Sequence, residues 1–123
     1  MLLNLSNHPL TQWSAKQKET AKIQFGEVID LPFPFIEPEL TTSEVKKTVS
    51  DYYLRVIHLF GKNKKTTMQN AIHIQGEFTF VFHLVTLLKK AGVKCVASTS
   101  KRDVQQVDNK KIINFNFIQF REY

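Results

Sequence analysis

Cysteine is almost absent from this chain, which holds a single one, Cys95, among its 123 residues. One thiol excludes an internal disulfide and any metal site built from several cysteines. Cys95 lies in the apolar run Val93–Ala97, and we interpret it as a buried strand residue. The alternative, a catalytic thiol, is disfavoured because apolar surroundings oppose formation of the thiolate.

Long apolar runs are absent too. No segment approaches the roughly 18 consecutive apolar residues of a membrane-spanning helix. The opening Met1–Leu5 lacks the basic region and the long apolar stretch of a signal peptide. We therefore predict a cytoplasmic protein without a membrane partner.

The common nucleotide and hydrolase motifs are missing as well. The sequence contains no GxGxxG, no P-loop and no GxSxG. This argues against a standard dinucleotide or ATP site. No pair of histidines has a convincing metal-ligand spacing with acidic residues, so we predict neither a metal nor a cofactor.

Positive charge and phenylalanine are what the chain has in excess. The formal net charge is +6, the pI is about 9.5, and ten residues are Phe. A basic surface favours a polyanionic partner such as a nucleotide or nucleic acid, although many basic domains of this size bind neither. With 42% hydrophobic and 23% charged residues, the composition is that of one globular domain over residues 1–123.

Apolar periodicity and turn residues predict the order β-α-β-α-β-α-β-β. Capping boxes begin two helices at Ser14 and Thr41, and Gly26, Gly61 and Gly92 end the three helices. The predicted elements are strands over Met1–Leu5, Val28–Leu31, Ala71–Gln75, Val93–Ala97 and Lys111–Phe120, and helices over Ser14–Phe25, Thr41–Phe60 and Phe78–Lys90.

Two connections and the last strand carry their own expectations. The proline-rich segment Leu31–Pro38 is predicted as an extended loop whose rings tuck into the body. The segment Lys101–Lys110 is predicted as a polar connection to the last strand. That strand alternates apolar and polar residues, which is typical of an edge strand. Without room for a crossover helix, it should lie antiparallel to strand four.

These elements predict an α/β fold. Right-handed crossovers favour a Rossmann-like three-layer domain, whose five-stranded and mostly parallel sheet has the order 2-1-3-4-5. Ligands of such sheets bind beyond the carboxyl ends of the strands, where the strand order reverses. Here the reversal falls between strands one and three.

Three segments leave the sheet at that place, after strands one, three and four. They hold hydroxyls, a glycine, an imidazole and two cations, which together suit a phosphate-bearing ligand. The candidate residues are Ser6, Asn7, His8, Gly76, Glu77, Thr79, Ser98, Thr99, Ser100, Lys101 and Arg102.

Each candidate also has a structural interpretation. The hydroxyl and amide residues are common in loops and caps, and His8 suits an exposed turn. Gly76 suits a position with unusual backbone angles, and Glu77 suits the positive end of the third helix. We interpret His73 as a structural strand residue. The basic loop over residues 61–67 is either solvated or a binding patch.

The segments Leu2–Pro9, Gly76–Phe80 with Leu84 and Val85 behind it, and Ala97–Arg102 together resemble a known family. They are similar to the small stand-alone CRISPR-associated Rossmann-fold (CARF) proteins, some of which are ring nucleases. The resemblance covers most of the chain in the order of its elements. It implies a homodimer that binds cyclic oligoadenylate across its two-fold axis, with no duplex nucleic acid as a partner.

In ring nucleases the ribose 2′-hydroxyl attacks the adjacent phosphate without a metal, and the linear products end in cyclic phosphates. By this resemblance, Arg102 or Lys101 steadies the phosphate and His8 shuttles a proton. The ligand contacts would come from Ser6, Asn7, Gly76, Glu77, Thr79, Ser98, Thr99 and Ser100.

Two alternatives stay open. The first is a sensor that binds the ring without opening it. The second is an interaction subunit without a small ligand, for which the hydrophobic loop Phe33–Ile36 and the aromatic tail Phe117–Tyr123 are the sequence support.

Overall fold

The computed structural model describes residues 1–63 and 68–123. Lys64 and Lys65 of the predicted basic loop therefore lie outside the described residues. The described elements follow the predicted order, with a 3₁₀ turn added before the first helix. They are β1 (Leu2–Ser6), the 3₁₀ turn (Leu10–Gln12), α1 (Ala15–Phe25), β2 (Val28–Asp30), α2 (Thr42–Lys62), β3 (Ala71–Gln75), α3 (Phe78–Lys90), β4 (Lys94–Val107) and β5 (Lys110–Glu122).

The five strands form one mixed sheet in the order β2-β1-β3-β4-β5, as predicted. β1 pairs in parallel with β2 and with β3, and β3 pairs in parallel with β4. β5 is antiparallel to β4 and lies at an edge of the sheet, which confirms the prediction for the last strand.

Helices cover both faces of this sheet. The inner strands are nearly continuous apolar runs because both of their faces are buried. One face packs against α2 and α3, through a core that includes Leu3, Leu5, Ile72, Ile74, Val49 and Phe80. The other face packs against α1, through Leu2, Ala71, Val96, Trp13, Ala21 and Phe25.

The helix caps agree with the sequence except at one end. Ser14 accepts a hydrogen bond from the N–H of Gln17, and Thr41 accepts one from Glu44. α2 does not end at Gly61, as we predicted, but continues to Lys62. A glycine inside a helix is unfavourable but not prohibitive, and the space beside Gly61 is open. Within the described ranges, no helix is both long and apolar enough to cross a bilayer.

The proline-rich loop between β2 and α2 is only partly packed against the body. The ring of Phe33 lies edge-on to that of Phe80, with 5.2 Å between centroids. Phe35, in contrast, is 83% exposed. The predicted burial of the rings is therefore right for Phe33 and wrong for Phe35.

The largest departure from the sequence prediction is Lys101–Lys110, which is not a polar connection. β4 continues through it to Val107, and a two-residue turn leads into β5. Asp108 and Asn109 have φ of 50° and 61°, the left-handed conformation of tight hairpin turns. The prediction was wrong because a ribbon that extends beyond the core exposes both faces and needs no apolar alternation.

We name residues 100–116 the arm. β4 pairs with β3 only as far as Val96, whereas its pairing with β5 continues to Val107. Every residue from Ser100 to Asn116 is exposed. The arm therefore projects beyond the part of β4 that pairs with β3.

Cys95 occupies the strand position that we predicted for it. Its side chain is buried in β4, at 1% exposure. Burial raises the pKa of the thiol to about 11, so the thiolate is disfavoured.

Candidate functional site

The three predicted exit segments lie at one edge of the sheet. The backbone N–H of Asn7 donates to the carbonyl of Gln75 at 3.2 Å, which joins the ends of β1 and β3. The amide of Gln75 joins β3 to β4, because its Nε2 donates to the carbonyl of Ser98 at 3.1 Å and its Oε1 accepts from the N–H of Ser98 at 3.2 Å. The carboxyl ends of the three strands therefore form one continuous edge.

A cleft of about 480 Å³ opens at this edge, on the side of the sheet that α1 covers. Its volume is within the range of small-molecule sites. We name it the polar cleft. Its lining residues are His8, Gln12, Trp13, Gln17, His73, Gln75, Ser98, Ser100 and Phe115.

A second cleft of similar size, about 440 Å³, lies beside Phe25, Lys94 and Glu122. Lys94 is the first residue of β4, so this cleft is at the amino end of that strand. Because open α/β sheets bind ligands at the carboxyl ends of their strands, we take the polar cleft as the candidate site.

A row of polar side chains in otherwise apolar strands leads into the polar cleft, where His73 and Gln75 line it. The strand register aligns Asn4 of β1 with Asp30 of β2 and with His73 of β3. One step along, Ser6 aligns with Gln75. Residues two apart on a strand share a face, so these side chains all lie on the α1 side of the sheet.

His73 is the centre of this row and is only 1% exposed. Its Nδ1 lies 2.8 Å from Oδ1 of Asn4. Its Nε2 lies 2.8 Å from Oε1 of Gln75 and 2.8 Å from Oγ of Ser98. That hydroxyl also accepts a hydrogen bond from Nε2 of Gln17, at 3.0 Å, and it lines the cleft. Ser98 therefore connects the buried imidazole to the cleft.

The charge state of His73 follows from its surroundings. Desolvation by burial lowers the pKa of His73 to about 4, against a smaller opposing effect of the hydrogen bond to Gln75. The nearby His8 lowers the pKa further. The imidazole is therefore neutral in the free protein at neutral pH.

The loop after β1 is held by one carbonyl. The carbonyl oxygen of His8 accepts from Nδ2 of Asn4 at 2.9 Å and from Nε1 of Trp13 at 3.0 Å. Ser6 is buried, with its Oγ 2.8 Å from Oδ1 of Asn4, so it supports the loop from inside. The side chains of Asn7 and His8 are exposed, and His8 lines the cleft.

The segment after β3 does not reach the polar cleft. Glu77 caps α3 instead, as its structural interpretation predicted: its carboxylate accepts from the backbone N–H groups of Thr79 and Phe80. The hydrogen bond from Phe80 is the largest cause that lowers the pKa of Glu77. Thr79 donates its hydroxyl to the same carboxylate.

Gly76 has a steric role rather than an unusual backbone angle. Its φ is not positive, unlike that of Gly26 and Gly92. A Cβ at Gly76 would clash with the ring of Phe33, so a glycine lets the proline-rich loop pack here. The ring of Phe33 covers the place where we predicted a ligand contact from Gly76.

The segment after β4 is divided between the two faces of the arm. Arg102 pairs with Phe115, which lines the polar cleft, so Arg102 lies on the cleft side. Lys101 pairs with Asn116 on the opposite side. Thr99 is half-buried and donates its hydroxyl to the carbonyl of Gln119. Of the two predicted phosphate contacts, the geometry therefore favours Arg102.

Several cleft residues were missed in the sequence. His73 was interpreted as structural, and Gln12, Trp13, Gln17, Gln75 and Phe115 were not considered. For His73 and Gln75, the sequence did contain a signal. The short strands Leu2–Ser6 and Ala71–Gln75 each carry two polar residues, two positions apart, which marks one face of each strand as polar.

We expect the burial of His73 to make the protein less stable in mild acid. The folded-state pKa of about 4 lies below the ordinary 6.5, so the unfolded chain binds the proton first as the pH falls. The stabilisation is complete above pH 6.5 and is lost as the pH approaches 4. Between pH 7 and pH 4.5, this one group should lower the free energy of unfolding by about 2 kcal/mol.

Urea unfolding at both pH values checks this expectation, because other groups titrate in the same range. The wild type should lose about 2 kcal/mol more than His73→Gln, which keeps a hydrogen-bonding amide but cannot be protonated. Equal losses in the two proteins would mean that His73 does not titrate as its burial requires.

Within the described residues, no group of three or more histidines, cysteines, aspartates and glutamates could hold a metal ion. A search of curated proteins and a search of solved structures found no match to the chain. Residues 1–121 match the uncharacterized protein MJ1673 family, and the chain therefore belongs to that family.

Proposed function

We propose that the polar cleft binds a cyclic oligoadenylate and that the fold is a Rossmann-like domain of the CARF type. The observation that carries this proposal is the composition of the cleft. Neutral amides, two serines, two imidazoles and two aromatic rings converge where β1, β3 and β4 leave the sheet. This is the edge and the mixture of groups that a nucleotide requires.

The base-binding groups come from the 3₁₀ turn and the arm. The amide of Gln12 lines the cleft, and an amide can pair with the N6 and N7 edge of adenine through two hydrogen bonds. Phe115 also lines the cleft and is 70% exposed, so its ring offers a stacking surface for a base. Together these two groups favour a purine over a simple phosphate.

The phosphate-binding groups come from β4. The hydroxyls of Ser98 and Ser100 line the cleft. Arg102 lies one step further along the same side of the arm and carries a positive charge that suits a phosphodiester. The formal net charge of +6 favours the approach of such an anion.

The size of the cleft supports a homodimer. Its volume of about 480 Å³ is that of a site for one small ligand, whereas a ring of four or six nucleotides is several times larger. Two clefts that face each other across a two-fold axis would share a symmetric ring. The exposed arms next to the clefts are the surfaces that would join the two chains.

Ring opening is the enzymatic form of this proposal. The 2′-oxygen of one ribose forms a bond to the adjacent phosphorus while the bond from phosphorus to the 5′-oxygen breaks. One proton leaves the 2′-hydroxyl and one joins the departing 5′-oxygen. His8, an exposed imidazole on the cleft wall, is positioned for such a transfer.

We expect the protein to bind cyclic tetra-adenylate or cyclic hexa-adenylate in calorimetry with EDTA present. Arg102→Ala should weaken binding about tenfold, which is the value of one charge-assisted contact to phosphate. Lys101→Ala is the matched control, since it removes a charge from the neighbouring residue on the other side of the arm. The Lys101→Ala substitution should change the affinity less than threefold, because the charge of Lys101 faces away from the cleft and is screened by solvent.

The outcomes distinguish the candidate functions. Linear products in the EDTA samples identify a ring nuclease, and binding with an intact ring identifies a sensor. Equal effects of the two substitutions would mean that the phosphate does not bind on the cleft side of the arm. If neither ring binds, the proposal fails.

An interaction subunit without a small ligand is the second candidate, and one observation favours it. α3 leaves two aromatic side chains uncovered: Phe78 is 89% exposed and Phe82 is 66% exposed. The earlier sequence support for this candidate is weaker in the structure, because Phe33 packs on Phe80 and Phe117 is buried.

A further inference from the structure

The hydrogen bonds around His73 suit a doubly protonated, positively charged imidazole, although burial of the ring opposes that charge. Nδ1 and Nε2 each face a side-chain amide oxygen at 2.8 Å. An amide oxygen accepts and cannot donate, so each of these contacts requires a proton on the ring nitrogen.

The neighbouring bonds fix which atom of each amide faces the ring. Nδ2 of Asn4 donates to the carbonyl of His8 and to the carboxylate of Asp30, at 2.9 and 2.8 Å, so its Oδ1 must be the atom that faces His73. Gln75 is bonded at both ends to the backbone of Ser98, which fixes its Oε1 toward His73 in the same way. Rotating either amide would break these bonds.

A neutral imidazole cannot satisfy both contacts, because it carries one proton. If the proton is on Nδ1, Nε2 accepts from the hydroxyl of Ser98, and its lone pair faces Oε1 of Gln75. Only the doubly protonated ring donates at both ends. The hydrogen-bond partners of His73 are thus arranged for the imidazolium. Desolvation of the buried ring is what keeps the imidazole neutral in the free protein.

We propose that His73 takes up a proton when a phosphodiester anion occupies the polar cleft, and that this reverses the hydroxyl of Ser98 toward the ligand. This inference rests on the proposed function for the identity of the anion, and it names His73 as a second source of positive charge at the site, beside Arg102.

The reversal follows from the bonds of one hydroxyl. While His73 is neutral, Ser98 donates its proton inward to Nε2 and presents only lone pairs to the cleft. Once Nε2 carries a proton, that proton is shared between Oε1 of Gln75 and Oγ of Ser98, so Ser98 accepts from Nε2 and from Gln17, at 2.8 and 3.0 Å. Its own proton is then free to donate to the anion. Protonation of His73 thus converts Ser98 from an acceptor to a donor.

The charged and titratable groups around His73 are compatible with this change. His8 lies across the cleft and disfavours the imidazolium in the free protein. Asp30 stands behind Asn4 and is already bonded to that amide and to the N–H of Leu10. Trp13 and Phe120 flank the ring with their own rings, at 5.2 and 5.6 Å between centroids. The negative charge that balances the imidazolium of His73 is therefore one that a bound ligand supplies.

Calorimetry of cyclic tetra-adenylate binding between pH 8 and pH 6 tests the proposal. A phosphodiester keeps its single negative charge over this range, so a change in affinity reports on the protein. We expect tighter binding as the pH falls, up to tenfold per pH unit for one coupled proton. Two buffers with different ionisation enthalpies should reveal net proton uptake.

His8→Gln is the control for this experiment, because it removes the other imidazole that lines the cleft. The pH dependence should persist in His8→Gln and disappear in His73→Gln. Loss of the pH dependence in His8→Gln would assign the proton to His8 and overturn the proposal. An affinity that is the same at pH 8 and pH 6 in the wild type would also overturn it.

A second measurement needs neither the cyclic ligand nor a folded His73 variant. Nitrogen-15 spectra of the wild-type imidazoles, assigned with variants at His8, His58 and His83, show directly whether Nε2 of His73 carries a proton. Dimethyl phosphate, a minimal phosphodiester, should convert the signal from the neutral to the doubly protonated form at pH 6.5. If His73 stays neutral at saturation, the inference fails.

The two proposals fail separately. If dimethyl phosphate protonates His73 but no cyclic oligoadenylate binds, the proposed ligand is wrong and the charge mechanism stands. If the cyclic ligand binds without proton uptake, the proposed function stands and the role of His73 is wrong.

Discussion

Replacing Asn4 by leucine should lower the free energy of unfolding by about 3 kcal/mol, although the two side chains have similar volumes. Asn4 is 1% exposed and is the common partner of four groups. It donates to the carbonyl of His8 and to the carboxylate of Asp30, and it accepts from Ser6 and His73. Leucine at this position leaves His73 and Ser6 buried next to an apolar side chain, and each lost partner costs about 1 kcal/mol or more.

Urea unfolding at pH 7 measures this effect. Asn7→Leu is the matched control, because it makes the same chemical change three residues away on an exposed side chain. It should alter stability by less than about 0.5 kcal/mol. If the two variants were equally stable, the polar row would be solvated rather than buried. The explanation that burial lowers the pKa of His73 would then be wrong as well.

The order of the elements was predictable because each inner element satisfies a local pattern and its tertiary environment at once. The strand Ala71–Gln75 is short and bounded by a glycine, and it is buried on both faces. α2 repeats apolar residues at helical spacing, and its Val45, Val49 and Val56 are buried. Strand order followed from the crossover rule, which does not depend on side-chain detail.

The β4 half of the arm was not predictable by the same pattern. Residues 100–107 leave the core, and they lack the alternation of apolar and polar residues by which the β5 half was predicted as a strand. Asp108 and Asn109 carry the available signal, since both tolerate a positive φ in a two-residue turn. Without knowing that β4 pairs with β5, however, these two residues fit a longer loop as well as a hairpin turn.

The convergence of the three exit segments at one edge of the sheet was predictable, but the face of the sheet on which a cleft opens was not. The three exit segments converge because parallel strands end together. Which residues enter the cleft depends on the strand register and on what covers each face. Gly76 illustrates the limit: its contact with Phe33 arises from a loop some 40 positions earlier in the chain, which no local pattern reveals.

One side of the arm bears an apolar stripe that continues the wall of the polar cleft. Val104 and Ile113 are paired across the two strands and are 46% and 41% exposed. They lie next to the pair of Arg102 and Phe115 on the same side. An isolated two-stranded ribbon is marginal in water, so these residues need a surface to pack against. In the proposed homodimer, the second copy provides that surface, and the two-fold axis makes the contact reciprocal.

The double variant Val104→Glu and Ile113→Glu should therefore raise the dimer dissociation constant at least 100-fold, a loss of about 2.7 kcal/mol from two charges placed in an apolar contact. Analytical ultracentrifugation over a range of concentrations measures this constant. Gln105→Glu with Asn114→Glu is the matched control: it adds the same charge to neighbouring residues on the other side of the arm. A wild type that sediments as a monomer, or equal weakening by the two pairs, would remove the arm from the interface and leave a single cleft too small to enclose a cyclic tetranucleotide.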